Sequence, residues 1–167
     1  MPAGKRWSKP LTRQGYNRIA EDHRYLLEEV RPGVVEGIAI AAAEGDRSEN
    51  AEYIYGKKRL REIDKKLRYY TSLLKDVEVV DIEHIRADYV DFGATIIIQD
   101  ENGAVKEWTL VGVGEADVDA GTISYKSPVA NAFIGKKIGA FVDIKRPAGY
   151  MEFELIGLKY GGYEVKG

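Results

Sequence analysis

The feature that most constrains this chain is a heptad pattern between residues 53 and 74. Apolar or small residues recur there in alternating steps of three and four, a spacing that places them along one side of an α-helix and is typical of a coiled coil. The positions of this apolar seam are Tyr53, Gly56, Leu60, Ile63, Leu67, Tyr70 and Leu74. The pattern therefore predicts a long helix whose seam packs against a second helix.

An amphipathic helix is also predicted immediately before this one. Most of its apolar or small positions are three or four residues apart, and they are Ile19, Leu26, Leu27, Val30, Val34, Ile38 and Ala41. Thr12 is a suitable N-cap, so the helix is expected to begin near Arg13. Pro32 deletes one helical hydrogen bond, which predicts a kink or short break at Pro32 and Gly33. Gly45 is a favourable residue for the helix end because glycine tolerates positive φ.

The two helical segments are separated by a polar turn, residues 44–53, with the sequence EGDRSENAEY. Two helices joined by so short a turn form an antiparallel hairpin, and ~30 residues of helix give a length of about 45 Å. We therefore predict that residues 1–78 form an antiparallel two-helix coiled coil. Residues 44–53, the acidic turn, lie at its far end.

The acidic turn contains two carboxylates, Asp46 and Glu49, that admit two interpretations. Their spacing is that of a capping box with Asp46 as N-cap, and a carboxylate at a helix N-terminus contributes about 0.3–1 kcal/mol. Alternatively they chelate a divalent cation, since Mg²⁺ in phosphoryl-transfer sites is commonly held by one or two carboxylates. Two carboxylates alone make an incomplete site, so a partner would have to supply the remaining ligands.

Positive charge is concentrated on the second helix. Residues 56–76 contain eight basic and three acidic residues, whereas residues 77–167 contain nine basic and fifteen acidic ones. One helix face, away from the apolar seam, carries Lys57, Arg61, Lys65 and Arg68. One interpretation is a solvated face with (i, i+4) ion pairs. The excess of positive charge favours the other, which is contact with a phosphate backbone without base specificity.

Strand-like patterns dominate the second half of the chain. The residues DENG at 100–103 predict a hairpin turn between two strands, and Ser127 with Pro128 predicts the start of a short helix. The strands are expected at 94–99, 105–113, 122–125, 140–144 and 151–160. We therefore predict an α+β protein in which residues 79–167 form a small antiparallel sheet with one short helix.

Composition disfavours several classes of site and location. The chain has no cysteine, which removes disulfides, thiol nucleophiles and cysteine-based zinc sites, and its two histidines, His23 and His84, are too few for a histidine-rich metal site. No apolar run approaches the ~20 residues of a membrane helix, and the N-terminus lacks the apolar stretch of a secretory signal. We therefore expect a cytoplasmic protein without membrane contact, with residues 1–11 a flexible lead and residues 77–92 a link.

The residues around the acidic turn resemble a known family. GDRSENAEY and the following YGKKRLREIDKKLRYYTSLL resemble the bacterial Gre transcript cleavage factors, the GreB branch in particular. LTRQGYNRI near the N-terminus and SPVANAFIGKKIG at 127–139 resemble the same family, and the matching stretches cover nearly the full chain in the family's order. The resemblance implies an N-terminal antiparallel coiled coil and a C-terminal FKBP-like domain.

The resemblance also implies a function in transcription. In that family the C-terminal domain docks at the mouth of the RNA polymerase secondary channel, and the tip of the coiled coil reaches the polymerase active site. Asp46 and Glu49 would there help to hold a second Mg²⁺, shared with the polymerase and not bound stably by the factor alone, and orient a water. Ser48 and Asn50 are implied as further catalytic residues beside them. The polymerase then cleaves backtracked RNA, so the factor acts in trans and is not itself an enzyme.

Further contacts are implied in the same way. The residues expected to contact the extruded RNA near its 3′ end, and DNA nonspecifically, are Lys57, Lys58, Arg61, Lys65 and Arg68. Ser127, Pro128 and Ala130 would lie at the polymerase contact of a monomeric factor. The sequence departs from the family pattern at Asn131, where a basic residue is common, and at Ala140, where an acidic residue is usual. These departures bear on docking and not on the acidic turn.

Two other functions remain open from the sequence. A channel-binding protein can regulate or inhibit the polymerase without stimulating cleavage, although the presence of both Asp46 and Glu49 favours cleavage. A free-standing coiled-coil adaptor, in which these carboxylates only cap a helix, is the third hypothesis. Polymerase binding together with a cleavage assay distinguishes the three.

Overall fold

The computed structural model describes residues 7–45 and 50–167, and its contacts divide the chain into two units. The hairpin unit is Asn17–Lys75, and the sheet unit combines the residues up to Tyr16 with Asp76–Gly167. The two-domain division after residue 78 stays a prediction. By contacts, the described N-terminal residues group with the sheet and not with the hairpin.

Two long helical stretches fold back on each other. They comprise α1 (Arg13–Tyr25), a π-helical segment (Leu26–Val30) and α2 (Arg31–Ala43), followed by α3 (Ala51–Leu74). The contacts between α2 and α3 run in opposite directions, because Arg31 pairs with Asp64 while Ile38 lies against Gly56. The predicted antiparallel helical hairpin is therefore confirmed.

The apolar seam of α3 packs as the heptad pattern predicts. Ile63 is buried, the other seam residues are half-buried, and most positions between them are exposed. On the opposing stretch Ala41 is buried and Val34 half-buried, but Leu27, assigned to the apolar face, is 43% exposed. Leu27 follows Leu26 directly, and neighbouring residues on a helix point in clearly different directions, so only one of them can face the partner.

Contrary to the predicted break, the helix continues through Pro32. The residues on either side of the π-helical segment keep right-handed helical φ and ψ, and the Arg31 N–H donates to the Leu26 carbonyl, five residues back. The proline ring conflicts with the preceding helical turn and supplies no N–H. A wider turn placed just before Pro32 accommodates both effects. The predicted short break is therefore corrected to a local widening of a continuous helix, and the predicted kink stays a prediction.

The described residues before α1 are not a flexible lead. β1 (Pro10–Thr12) pairs in parallel with β2 (Glu78–Val80), and Trp7 Nε1 donates to Asp91 Oδ1 at 2.9 Å while its ring packs on Phe92. Strands of three residues are too short to show a two-residue period, so the sequence pattern assigned them to the lead and the link. Both predictions are corrected for these residues.

The sheet unit is built on six strands in the order β5-β4-β3-β7-β6, with β8 against β7. They are β3 (Ala94–Asp100), β4 (Val105–Val111), β5 (Thr122–Ser124), β6 (Phe141–Arg146), β7 (Gly149–Tyr160) and β8 (Tyr163–Val165). Neighbours are antiparallel except β4 and β5, which run parallel. The predicted antiparallel sheet is thus a mixed one, because residues 112–121 form a connection long enough to carry the chain back before β5. The α+β class is confirmed.

The core of the sheet unit lies between the sheet and α4 (Pro128–Phe133). Ile96, Leu110, Phe133 and Leu155 have no exposed surface. At the predicted turn between β3 and β4, Gly103 takes a φ of 85°, as a glycine in that position can. None of the helices in the described part of the chain is long and apolar enough to cross a membrane.

Candidate functional site

Within the acidic turn, the described residue Asn50 joins the ends of the two long helices. Asn50 is the N-cap of α3, and its Oδ1 accepts a hydrogen bond from the Tyr53 N–H at 3.1 Å. Its Nδ2 donates to the Ala41 carbonyl, in the last turn of α2, at 2.6 Å. A single amide side chain therefore satisfies an N–H at the start of α3 and a carbonyl at the end of α2.

Asp46, Ser48 and Glu49 lie outside the described residues, so their predicted roles in metal binding and cleavage stay predictions. The predicted catalytic role of Asn50 stays a prediction too. The capping-box interpretation of Asp46 and Glu49 is wrong, because α3 begins at Ala51 and its N-cap is Asn50. At the other end, α2 ends as expected just before Gly45, but Gly45 does not take positive φ. The Glu44 N–H instead closes the last turn by donating to the Ala41 carbonyl at 3.2 Å.

The basic residues predicted to contact nucleic acid all lie exposed on α3. We call this surface the basic face, and its members are Lys57, Lys58, Arg61, Lys65 and Arg68. None of them forms an ion pair within residues 7–45 and 50–167. Their charges are therefore presented to solvent, which is the arrangement expected of a surface that attracts phosphates.

One acidic residue beside the basic face is engaged across the hairpin. Asp64 Oδ1 accepts from Arg31 Nε at 2.8 Å, with both side chains about one-third exposed. The hydrogen bond from Arg31 holds the pKa of Asp64 below its ordinary value, and Arg68 adds a smaller lowering. The pair fixes α2 against α3, and it compensates a carboxylate that would otherwise reduce the attraction of the basic face for anions.

A cleft of about 450 Å³ opens in the sheet unit beside α4. Ser127 and Pro128 line it, and Ser127 Oγ accepts from the Ala130 N–H at 3.3 Å as the N-cap of α4. Ala130, predicted as a third contact residue, has no exposed surface and packs in the core. The predicted polymerase contact of Ser127 and Pro128 therefore stays a prediction, whereas Ala130 is part of the support beneath them.

Sequence reasoning missed the rest of this cleft. Its walls include Trp108, Ile144 and Phe153, and Lys106, Lys145 and Arg146 supply positive charge around it. These residues come from β4 and from the hairpin of β6 and β7, which are about thirty residues apart in sequence, so no local motif connects them. Their only sequence signal is the alternation of apolar and charged residues within β4 and β6.

Comparisons with known proteins agree on one family. A family model described as "Transcription elongation factor, N-terminal" matches residues 9–79, and one described as "Transcription elongation factor, GreA/GreB, C-term" matches residues 85–160. GreB of Haemophilus ducreyi is 39% identical over 153 residues, covering 92% of this chain and 94% of that protein. GreB of Pasteurella multocida is 42% identical over 142 residues, covering 85% and 90%.

Other similar proteins include GreA of Chelativorans, 38% identical over 153 residues with coverage of 91% and 98%. Among solved structures, GreA factor homolog 1 of Thermus thermophilus covers 90% of this chain and 97% of that one at 20% identity and a TM-score of 0.41, which is too low to support an argument. The family models span most of the chain, and relatives near 40% identity match it almost from end to end. The chain therefore belongs to the GreA/GreB family of transcription elongation factors and is GreB-like.

Proposed function

We propose that the protein enters the secondary channel of RNA polymerase and stimulates the polymerase to cleave backtracked nascent RNA. The observation that best supports this is the position of Asn50. Because Asn50 caps α3, Asp46 and Glu49 are not needed as caps. The adaptor hypothesis then no longer explains why these two carboxylates are present. Two carboxylates in a turn between two paired helix ends are best explained by a function outside the hairpin.

The hairpin suits delivery of the acidic turn into a narrow channel. α3 alone has 24 residues, which corresponds to about 36 Å at 1.5 Å per residue. Its partner is held along the length by the apolar seam, by the Arg31–Asp64 pair and by Asn50. A pair of helices supported at these points can present a reactive group at the end where α2 and α3 meet.

The carboxylate donor set fits Mg²⁺, which prefers oxygen ligands and is commonly held by one or two carboxylates. In the described residues no group of three or more histidine, cysteine or acidic side chains is placed to hold a metal. We infer that Asp46 and Glu49 contribute ligands to a site completed by the polymerase, with Ser48 adjacent. Mg²⁺ in such a site lowers the pKa of bound water and stabilises developing charge on phosphate. The factor would act in trans and have no nuclease activity alone.

The basic face gives the RNA a path along the hairpin. Its five exposed cations start within two turns of the N-terminus of α3 and continue to Arg68. Contacts of this kind are made to phosphates, so we expect them to be independent of base sequence and sensitive to salt. They would hold the extruded 3′ segment of the RNA near the acidic turn.

The cleft in the sheet unit is the proposed docking surface for the polymerase. Its apolar walls would accept an apolar side chain of the partner, while Lys106, Lys145 and Arg146 would attract carboxylates around it. Ser127 and Pro128 lie at this surface, as the family resemblance implies. Each of these contacts needs only one copy of the factor. We therefore propose that the protein acts as a monomer in the cytoplasm.

The test uses halted, backtracked elongation complexes that carry 3′-labelled RNA in the presence of Mg²⁺. We expect the wild type to release short 3′ fragments. The Asp46→Asn/Glu49→Gln variant should bind equally well but stimulate cleavage at least ~100-fold less, a loss typical of removing a group that stabilises the transition state. The matched control is Glu44→Gln/Glu52→Gln, which removes the same charge from exposed residues of the same turn and should retain activity.

Three outcomes decide between the functions. Fragment release by the wild type and the control, but not by the Asp46/Glu49 variant, supports the proposal. If no variant accelerates cleavage while all bind the complex, the protein is a channel-occupying regulator. If the wild type does not bind polymerase at all, the adaptor hypothesis replaces both.

A further inference from the structure

The hairpin unit carries an open groove of about 520 Å³ between α2 and α3. Gly33 and Gly37 of α2 and Tyr55 and Arg59 of α3 are among the residues that line it, and we call it the Tyr55 groove. None of the basic-face residues lines this groove. Its volume falls within the range of sites that accept a small molecule or one group of a larger ligand, so it is a candidate binding site without an assigned role.

Tyr55 presents its ring to solvent at the edge of this groove. The residue is 66% exposed, and within the described part of the chain its ring neither packs on another aromatic ring nor lies under a cation. A single exposed aromatic residue is ordinary on a protein surface. The exposure of Tyr55 therefore indicates a site only in combination with the groups around it.

Two cations follow Tyr55 by one helical turn. Lys58 and Arg59 come three and four residues later, which places them beside Tyr55 on the surface of α3. Both are exposed, and neither forms an ion pair within residues 7–45 and 50–167. Proteins bind single-stranded nucleic acid with this combination, since an aromatic ring stacks on a base while cations attract the backbone. Lys58 also belongs to the basic face, so the two surfaces are continuous.

The opposite side of the groove consists partly of bare backbone. A Cβ added at Gly33 or at Gly37 would meet no atom within 4 Å, so the space above both glycines is open. Glycine permits a ligand to approach the backbone closely, which leaves room for a flat ring next to Tyr55. Glu52 also lines the groove, but it lies in the first turn of α3, where a carboxylate stabilises the helix N-terminus.

We propose that the Tyr55 groove binds one nucleobase of single-stranded RNA. This deepens the proposed RNA contact and rests on the proposed function for the identity of the RNA. Tyr55 stacks on the base, and Lys58 and Arg59 hold the neighbouring phosphates. Because every base has an aromatic face, the site accepts any base sequence. The basic face attracts the RNA backbone, and the groove fixes the position of one nucleotide.

The binding test uses a short, labelled single-stranded oligouridine and the full chain at low ionic strength, without polymerase. Fluorescence anisotropy of the RNA gives the Kd. Tyr55→Ala should weaken binding about 5- to 30-fold, the loss expected when one stacked base is released. Tyr55→Phe keeps the ring and should bind like the wild type. Gly33→Leu fills the groove while keeping Tyr55, and it should weaken binding as much as Tyr55→Ala does.

An abasic RNA analogue of the same length separates stacking from charge. It has the phosphates but no base, so Tyr55→Ala should bind it as tightly as the wild type does. Arg59→Ala should weaken the binding of both oligomers and reduce the slope of log K against log salt concentration by about 0.7, because it removes one phosphate contact. The slope for Tyr55→Ala should keep its wild-type value.

Tyr25→Ala is the matched control for the loss of an exposed ring. Tyr25 lies in the same unit and is 56% exposed, but the residues three and four positions later are Glu28 and Glu29. Negative charge at these positions disfavours an RNA backbone. Tyr25→Ala should therefore leave the affinity for both oligomers unchanged. Circular dichroism identifies the temperature at which every variant is folded.

The outcomes separate this proposal from the proposed function, because none of these measurements involves cleavage. Weaker binding of oligouridine, but not of the abasic analogue, by Tyr55→Ala together with weaker binding by Gly33→Leu supports the nucleobase site. Wild-type affinity of either variant for oligouridine overturns it, and so does an equal loss with the abasic analogue or a wild type that binds no RNA. If the wild type stimulates no cleavage but the RNA results hold, the proposed function fails and the nucleobase site stands.

Discussion

Gly56 offers a sharp test of how the hairpin packs. It occupies a seam position of α3, and a Cβ added there would lie 2.8 Å from Cγ1 of Ile38 on α2. Ile38 is β-branched and strongly restricted in its χ1 rotamer within a helix, so it cannot easily move aside. Gly37, one residue earlier than Ile38, is exposed and would place its Cβ in open space.

The expected free energies of unfolding follow from these two environments. Replacing glycine by alanine within a helix gains about 0.8–1 kcal/mol from helix propensity, so Gly37→Ala should stabilise the hairpin by about that amount. Gly56→Ala gains the same propensity but overpacks the seam, which typically costs about 1–3 kcal/mol. Gly56→Ala should therefore be less stable than Gly37→Ala by about 1–3 kcal/mol.

Hydrogen exchange of the amides in α2 and α3 measures the opening free energy of the hairpin within the full chain. A double-mutant cycle with Ile38→Ala assigns the penalty to the contact, because the smaller side chain should relieve the overpacking. If Gly56→Ala stabilises the hairpin as much as Gly37→Ala does, the helices do not approach each other at this point and the packing described here is incorrect.

Three further outcomes are expected. Asn50→Ala should destabilise the tip of the hairpin by about 1 kcal/mol, because α3 loses its N-cap. Asn50→Asp keeps the oxygen that accepts from α3 and loses only the N–H that donates to α2. Amide hydrogen exchange at the start of α3 distinguishes the two variants. Asp64→Asn should lower the denaturant midpoint at neutral pH. Because the pKa of Asp64 is lowered in the folded state, this difference should be fully present above the ordinary pKa of ~3.9 and should be lost as the pH falls through the lower pKa of the folded protein. Urea titrations from neutral pH downward through this range measure it. Lys57→Ala and Lys65→Ala should each reduce the salt dependence of single-stranded RNA binding by about 0.7 in the slope of log K against log salt concentration. Lys66→Ala, whose ammonium lies over the Tyr70 ring, should leave that slope nearly unchanged.

The long-range periodicity of the chain predicted the hairpin well, and it did so for a physical reason. Seven seam positions between Tyr53 and Leu74 repeat one environment, so a single misjudged residue does not change the result. Leu27 was misjudged because apolarity alone does not tell which of two adjacent leucines faces the partner.

The features that sequence did not reveal arise where spacing carries no information. β1 and β2 are three residues long, and their pairing depends on residues nearly seventy positions apart. The choice of Asn50 over Asp46 as the cap of α3 depends on where α2 ends, since Asn50 also binds the Ala41 carbonyl. The cleft is likewise assembled only by the sheet topology.

The positions of the aromatic residues have a spectroscopic consequence. The chain has two tryptophans, Trp7 packed on Phe92 and Trp108 in the wall of the cleft, and both belong to the sheet unit. Excitation of indole therefore reports on this unit alone, while the hairpin contributes only tyrosine emission. With Trp7→Phe, the remaining indole would respond directly to a partner entering the cleft, so the protein contains a native optical reporter of docking.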